Sequence, residues 1–97
     1  MPLFATTYRY VADSDAARDA TRPAHREYLA GLTARGALAI SGPYVGGEGG
    51  ALLVFEAPSH DEAVALTDAD PFVTEGLVAE VSVREWQPVS GRLAEHV

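Results

Sequence analysis

Two polar residues, His25 and Asp70, are the strongest candidates for chemistry in this sequence. Histidine gains and loses a proton near neutral pH, so His25 is a candidate general acid or base. Asp70 directly precedes Pro71, which disfavours helical geometry at Asp70 and places it where the chain turns. A carboxylate beside an imidazole can fix the tautomer of the ring and stabilise its cation. The sequence therefore predicts an acid/base pair formed by His25 and Asp70.

Both residues also have a purely structural interpretation. His25 shares a helical face with Tyr28 and Leu32, so it could be a hydrogen-bonded core histidine that orients a helix. Asp70 could cap a short helix starting at Pro71, because Asp is favoured at the N-cap and Pro at the first helical position. Capping and catalysis are compatible, and the sequence leaves these alternatives open.

Other residues are candidates for lining a substrate pocket. Arg22 lies one helical turn before His25 and could bind a substrate carboxylate or phenolate. The run Ser41, Gly42, Pro43 lies near the end of a predicted strand, where glycine lets a ligand approach the backbone closely. No G-x-S-x-G motif surrounds Ser41, so we interpret it as a hydrogen-bonding pocket residue and not as a nucleophile.

The sequence predicts neither a metal site nor a cofactor. Cysteine and lysine are both absent, which excludes thiolate ligands and the usual lysine anchor of pyridoxal phosphate. The three histidines, His25, His60 and His96, do not have metal-ligand spacing. The glycine-rich run at 46–50 is followed by a strand and not by a helix, so we interpret it as a hairpin turn.

Length and charge restrict the possible partners. With 97 residues the chain is expected to form one domain. Its net charge of −7 and scattered arginines argue against nucleic acid and anionic membranes, since both require a basic surface. We see no transmembrane stretch and no signal peptide, so a cytoplasmic protein that acts on or binds a small molecule is expected.

The order of predicted elements positions the candidate residues. Strands are expected at 3–11, 37–45, 51–57 and 78–86. A helix is expected over 16–35, with a short first turn and the main helix from about Thr21 because of Pro23. A second helix should run from the Ser59 cap to about Ala69 and be followed by a short turn. This β-α-β-β-α-β order predicts an α+β, ferredoxin-like sandwich as a single domain over 1–88, with a loose C-terminal tail over 89–97.

Such a sheet carries helices on one face only. The strands have apolar residues on what we expect to be both faces, among them Phe4, Tyr8, Leu53, Phe55 and Trp86. The third strand looks buried on both faces. An uncovered apolar face usually marks an interaction surface, so we expect a homodimer in which two sheets stack.

Several motifs together resemble the YciI-like (YCII-related) family. They are Arg22-Pro23-Ala24-His25, Tyr28-Leu29, Gly36, Ser41-Gly42-Pro43, Ala69-Asp70-Pro71-Phe72-Val73 and Gly76-Leu77-Val78. The resemblance covers roughly 3–88. It implies a ferredoxin-like fold, a dimeric α/β barrel and a cleft whose histidine and aspartate correspond to His25 and Asp70, with Phe72 at the substrate pocket.

The family resemblance also bears on activity. The family is similar in fold to muconolactone isomerases and includes a dehydrochlorinase that acts on a chlorinated hydroxyquinol. The chain departs from the pattern at Ala34, near which many members carry an acidic residue. We expect either a cofactor-independent lyase or isomerase for a small aromatic or lactone-like substrate, or a non-catalytic dimeric ligand-binding or assembly module. An open cleft with His25 bonded to Asp70 would favour the enzyme, and a sealed His25 bonded to backbone would favour the module.

Overall fold

A computed structural model describes all 97 residues. The elements follow the predicted order and are β1 (Leu3–Tyr10), α1 (Asp15–Ala34), β2 (Leu38–Pro43), β3 (Gly50–Glu56), α2 (His60–Asp68), α3 (Pro71–Thr74) and β4 (Val78–Trp86). A 3-10 turn at Ala94–His96 follows. None of the helices has the length and apolar character needed to cross a membrane.

The four strands form one antiparallel sheet in the order β2-β3-β1-β4. In this order α1 connects β1 to β2, and α2 and α3 connect β3 to β4, so each helical connection crosses one intervening strand. This is the split βαβ topology of ferredoxin-like folds, and the predicted α+β class is confirmed. Its consequence for function is that α1 and α3 lie side by side over the central strands.

The core fills the space between the sheet and the helices. Four large side chains on the helix-facing side of the two middle strands are almost completely buried, namely Phe4 and Tyr8 of β1 and Leu53 and Phe55 of β3. Leu32 of α1 packs against the Tyr8 side of this core. The expectation of apolar residues on both faces is correct. Strand side chains alternate with period two, so the four strand residues just named share the helix-facing side, and Trp86, opposite Leu3, lies on the other face.

The opposite face of the sheet, called here the open face, has a different set of apolar residues. Leu52 and Ile40 are 37% and 57% exposed, and Trp86 is 45% exposed, whereas Val54 is buried. The prediction that β3 is buried on both faces is therefore correct for Val54 and wrong for Leu52. The tail is also less isolated than expected, since Leu93 and Val97 line a cavity together with Ile40 and Trp86.

Helix α1 is one continuous helix, although the sequence predicted a break near Thr21. Pro23 lies in its interior. Proline removes one amide donor and crowds the preceding turn. Pro23 is exposed, and contacts on both sides of it hold α1 against the sheet. Those contacts include Arg18 against Tyr10 before the proline and Leu32 in the core after it.

The ends of the helices follow local sequence signals. Gly36 has a φ of +80°, which glycine adopts without strain, and it ends α1 as predicted. The Ser59 side chain accepts a hydrogen bond from the Glu62 amide at the start of α2, so the predicted cap is confirmed. Ser14 precedes α1 but makes no capping bond, since its hydroxyl donates to Val11 O instead.

Candidate active site

His25 and Asp70 come from two different helical segments that meet over the central strand. His25 lies on α1, and Asp70 lies at the junction between α2 and α3. Their side chains are in contact, with His25 Nδ1 2.7 Å from Asp70 Oδ1. The His25 side chain is 14% exposed and the Asp70 side chain is fully buried. The structure therefore brings the two predicted residues together, with the carboxylate inside and the imidazole facing outward.

Asp70 is held by three groups at once. The Phe72 amide donates a 3.0 Å hydrogen bond to Oδ1, which confirms the capping interpretation of Asp70. The Tyr8 hydroxyl donates a 2.7 Å hydrogen bond to Oδ2. A buried carboxylate is costly unless its oxygens are hydrogen-bonded, and here each oxygen has a partner. Asp70 thus caps α3 and contacts His25 with the same carboxylate.

These contacts determine the tautomer of His25. An ionised carboxylate only accepts hydrogen bonds, so the nitrogen facing Asp70 must carry the proton. Nδ1 of His25 therefore donates to Asp70, and Nε2 of the neutral ring keeps a free lone pair. Nε2 makes no hydrogen bond to the chain. The ring is thus arranged to accept a proton from a molecule in the cavity and to share the resulting charge with Asp70.

Phe72 fixes the plane of the imidazole. The two rings are stacked, with centroids 3.9 Å apart and planes inclined by 2°. Tyr10 packs edge-on against the same phenylalanine, with centroids 5.9 Å apart. Since Phe72 is only 3% exposed, its ring has little room to move. Packing against Phe72 and bonding to Asp70 together leave His25 one orientation.

A cavity of about 270 Å³ opens in front of His25. One wall comes from β2, where Ser41, Gly42 and Pro43 are exposed. Apolar side chains, including Leu53 and Phe72, form part of the lining. Pockets that bind drug-sized ligands measure roughly 300–1,000 Å³. The volume of this cavity therefore suits a smaller molecule. The predicted pocket residues thus lie around one cavity that also contains the imidazole.

Three arginines of α1 line the same cavity, namely Arg18, Arg22 and Arg26. Arg18 pairs with Asp15, bonds Ser14 and places its guanidinium 4.2 Å from the centre of the Tyr10 ring. Arg22, the predicted anion-binding residue, pairs with Asp19, and this pairing lowers the pKa of Asp19. Arg26 makes no such pair. The rim of the cavity is therefore basic in an otherwise acidic protein.

The surrounding tyrosines remain protonated donors. Burial raises the pKa of Tyr8 far above its ordinary range, and the Asp70 carboxylate raises it further. Burial also raises the pKa of Tyr10, against an opposing effect of Arg18. The pKa of Tyr28 is raised by burial as well, and its hydroxyl donates to Leu66 O. The raised pKa favours the protonated Tyr8 hydroxyl, which donates to Asp70.

Sequence reasoning missed Tyr8, Arg18 and Arg26 as site residues. The sequence pattern identifies Tyr8 only as a residue on one face of β1. A usable signal existed, because a tyrosine on the helix-facing side of a strand needs a buried partner for its hydroxyl. The arginines at 18, 22 and 26 are spaced by four, which places them along one stripe of a helix.

Metal chemistry has no candidate ligand group here. No set of three or more His, Cys, Asp or Glu side chains lies close enough to hold a metal ion. His60 bonds Val83 O and packs against Phe4, and His96 lies beside Glu95 in the tail. The chemistry available at the cavity is thus that of an imidazole, a carboxylate behind it and guanidinium groups at the rim.

Comparison with known proteins agrees with this architecture. Residues 3–87 match the YCII-related domain. The curated protein YjpA of Bacillus subtilis (strain 168), described as uncharacterized, is 38% identical over 63 residues, which are 65% of this chain and 72% of that protein.

Two solved structures are similar to the fold. One is 5-chloro-2-hydroxyhydroquinone dehydrochlorinase (TftG) from Burkholderia phenoliruptrix AC1100 in complex with 2,5-dihydroxybenzoquinone. It is 29% identical with a TM-score of 0.81, covering 90% of this chain and 95% of that one. The other is a NIPSNAP domain protein from Burkholderia xenovorans, 14% identical with a TM-score of 0.56, covering 93% and 96% respectively, and it shows likeness of fold alone.

Proposed function

Because the chain belongs to the YCII-related domain family, we propose that it is a small cofactor-independent enzyme in which His25 moves a proton on a small aromatic or lactone-like substrate. The observation that carries the proposal is the 2.7 Å contact between His25 Nδ1 and the buried Asp70 carboxylate. This contact leaves Nε2 free to react in a cavity large enough for a single ring.

The first step is removal of a proton from a substrate carbon. Nε2 of His25 takes the proton, and the electron pair of the broken C–H bond forms a double bond to the neighbouring carbon. That carbon at the same time either releases a leaving group or passes the electron pair of its existing double bond to the far atom of that bond. The imidazolium donates to Asp70 through Nδ1, and the carboxylate stabilises the new charge. The Tyr8 hydroxyl and the Phe72 amide donate to the same carboxylate and hold it in place behind the ring.

Two outcomes follow from the same step. In a lyase reaction the neighbouring carbon loses a leaving group, such as chloride, which departs with its bonding pair while the proton stays on His25. In an isomerase reaction His25 returns the proton to a different carbon, and no atom is lost. Either outcome needs one acid/base group and no cofactor. The likeness to a dehydrochlorinase at 29% identity supports the lyase outcome as the first to test.

The alternative of a non-catalytic dimeric binding or assembly module receives less support. A core histidine of purely structural role would be sealed and would bond the backbone. His25 instead lines a cavity, bonds a carboxylate and keeps Nε2 unbonded. An unbonded Nε2 that faces a cavity is available for proton transfer with a bound molecule.

Turnover of candidate substrates tests the proposal. Purified protein is incubated in D₂O with unsaturated lactones that carry a carboxylate, with deuterium uptake measured by NMR, and with 5-chloro-2-hydroxyhydroquinone, with chloride release as the readout. His25→Gln should lower the rate about 10²- to 10⁴-fold, since that is the usual contribution of a general acid or base. His96→Gln is the matched control, because His96 lies in the exposed tail away from the cavity. Equal rates in the His25 variant and the wild type would contradict the proposal.

A further inference from the structure

We infer that the substrate carries a carboxylate and that Arg26 is the residue that binds it. The inference rests on the proposed function, since the bound carboxylic acid is taken to be the molecule on which His25 acts. It goes beyond that function by naming the charge of the substrate and the side chain that recognises it.

The first support is the charge of the cavity. Four basic side chains line it, and no aspartate or glutamate does. These side chains are Arg18, Arg22, His25 and Arg26. Three of the seven arginines of the chain therefore line one cavity. The protein as a whole has a net charge of −7 and would repel anions at long range. Arg18 and Arg22 are paired with Asp15 and Asp19, and His25 is bonded to Asp70. The uncompensated positive charge at this opening is therefore that of Arg26, and it favours an anionic ligand there.

The second support is the difference in how the three arginines are paired. Arg18 is held by Asp15 and Ser14 and rests on the Tyr10 ring. Arg22 is paired with Asp19. Arg26 has no ion pair and no side-chain hydrogen bond, and it is exposed at the rim. It is the one guanidinium at the cavity whose donors are all available to a ligand, and this makes it a better anion-binding residue than the predicted Arg22.

The third support is the chemistry of the other cavity walls. Leu29, Leu53 and Phe72 offer apolar surface for a ring, and Ser41 offers a hydroxyl. A guanidinium presents paired N–H donors that match the two oxygens of a carboxylate. A small ring can thus lie against the apolar wall near His25 while its carboxylate reaches Arg26 at the rim. The cavity volume of about 270 Å³ limits the ligand to a compact molecule.

Binding of benzoate and of its neutral isostere benzamide tests the inference. The full chain, labelled with ¹⁵N, is titrated with each probe and followed by NMR, which reports both the affinity and the residues affected. Benzoate should shift the amides of α1 around Arg26 and of β2 around Gly42. We expect benzamide to bind about ten- to hundredfold more weakly, because a hydrogen bond to a charged group contributes about 1.5–3 kcal/mol.

Variants assign the effect to one side chain. Arg26→Gln should weaken the affinity for benzoate about ten- to hundredfold and leave the affinity for benzamide unchanged. Arg26→Lys keeps the charge but loses the paired donors, so its affinity for benzoate should lie between those of the wild type and Arg26→Gln. Arg84→Gln is the matched control, since Arg84 is exposed on β4 and does not line the cavity. Added salt should weaken the binding of benzoate to the wild type more than its binding to Arg26→Gln.

The outcomes separate this inference from the proposed function. Failure of benzoate to bind at about 10 mM, equal binding of benzoate and benzamide, or unchanged benzoate binding in Arg26→Gln would each overturn the inference. His25→Gln should still bind benzoate. If benzoate binding depends on Arg26 as expected and turnover is indifferent to His25, the carboxylate site stands and the acid/base proposal fails. If turnover requires His25 but benzoate binding does not depend on Arg26, the acid/base proposal stands and the carboxylate site fails.

Discussion

The Tyr8 hydroxyl donates a 2.7 Å hydrogen bond to Oδ2 of Asp70, although 62 positions separate the two residues. Tyr8 lies on the central strand β1, so the bond ties the α2–α3 junction to the middle of the sheet. The carboxylate is consequently fixed from the strand side as well as from the helix side. This fixation gives His25 a partner of constant position, which a cap at the protein surface could not supply.

The tautomer of His25 should depend on Asp70. In the wild type we expect the proton on Nδ1, because the nitrogen faces an ionised carboxylate. In Asp70→Asn the amide NH₂ can turn toward Nδ1, which moves the proton to Nε2 and removes the free lone pair from the cavity. Activity should fall about 10²- to 10⁴-fold, as expected for loss of general base catalysis.

Long-range ¹H–¹⁵N NMR of the histidine rings measures this tautomer directly. His96 serves as an internal control, since it lies in the exposed tail and its spectrum should not change. An identical His25 spectrum in the wild type and in Asp70→Asn would mean that the carboxylate does not select the tautomer.

Tyr8 should make the protein sensitive to alkaline pH. Its pKa is raised by burial and by Asp70, so the folded protein retains the phenolic proton at a pH where the unfolded chain releases it. The resulting stability is fully present below about pH 10 and is lost as the pH rises above that value. Each such group lowers the free energy of unfolding by about 1.4 kcal/mol per pH unit in that range.

Tyr8→Phe separates two effects of this residue. At pH 7 it should reduce stability by about 1–3 kcal/mol, because Asp70 loses a buried donor. Above pH 10 its stability should fall less steeply with pH than that of the wild type. Urea unfolding at several pH values measures both effects, and Tyr44→Phe is the matched control, since Tyr44 is 49% exposed. Parallel pH profiles for Tyr8→Phe and the wild type would contradict the assignment.

We expect the protein to form a homodimer through the open face. Ile40, Leu52 and Trp86 leave apolar area exposed there, and α1, α2 and α3 cover only the other face. Sedimentation equilibrium at micromolar concentration should give about twice the chain mass of 10.3 kDa. Leu52→Glu should shift the equilibrium to the monomer, whereas Val45→Glu, at a fully exposed loop position, should not. A 10.3 kDa species in the wild type would exclude the stacked-sheet dimer.

Replacing Pro23 should stabilise α1. The residue is exposed in the interior of the helix and contributes no amide donor. Alanine is better than proline in a helix interior by about 3 kcal/mol, and the greater freedom of the unfolded chain offsets about 0.4–1 kcal/mol of this gain. Pro23→Ala should therefore raise the free energy of unfolding by about 2–2.6 kcal/mol, as measured by urea unfolding followed by circular dichroism. An unchanged or lower value would indicate that the proline does not destabilise α1 at this position.

The sequence predicted what depends on neighbours along the chain. Gly36 ends α1, Ser59 caps α2 and Asp70 caps α3, and each signal acts within about four residues. Period-two and helical patterns also gave the element order, because a strand or helix that packs on one side must repeat its apolar residues at its own period. The position of His25 on the sheet-facing stripe of α1 follows from the same periodicity.

Tertiary structure decided the features that depend on distant residues. The continuity of α1 through Pro23 depends on contacts with the sheet, such as Arg18 against Tyr10, that local propensity does not contain. Arg26 and not Arg22 has a free guanidinium, because Arg22 forms an ion pair with Asp19. The bonds from Tyr8 and His25 to Asp70 span 62 and 45 positions, and only the packing of α1 and α3 over β1 brings these side chains together. Sequence patterns thus determined which residues face the interior, whereas the folded packing determined which of them touch.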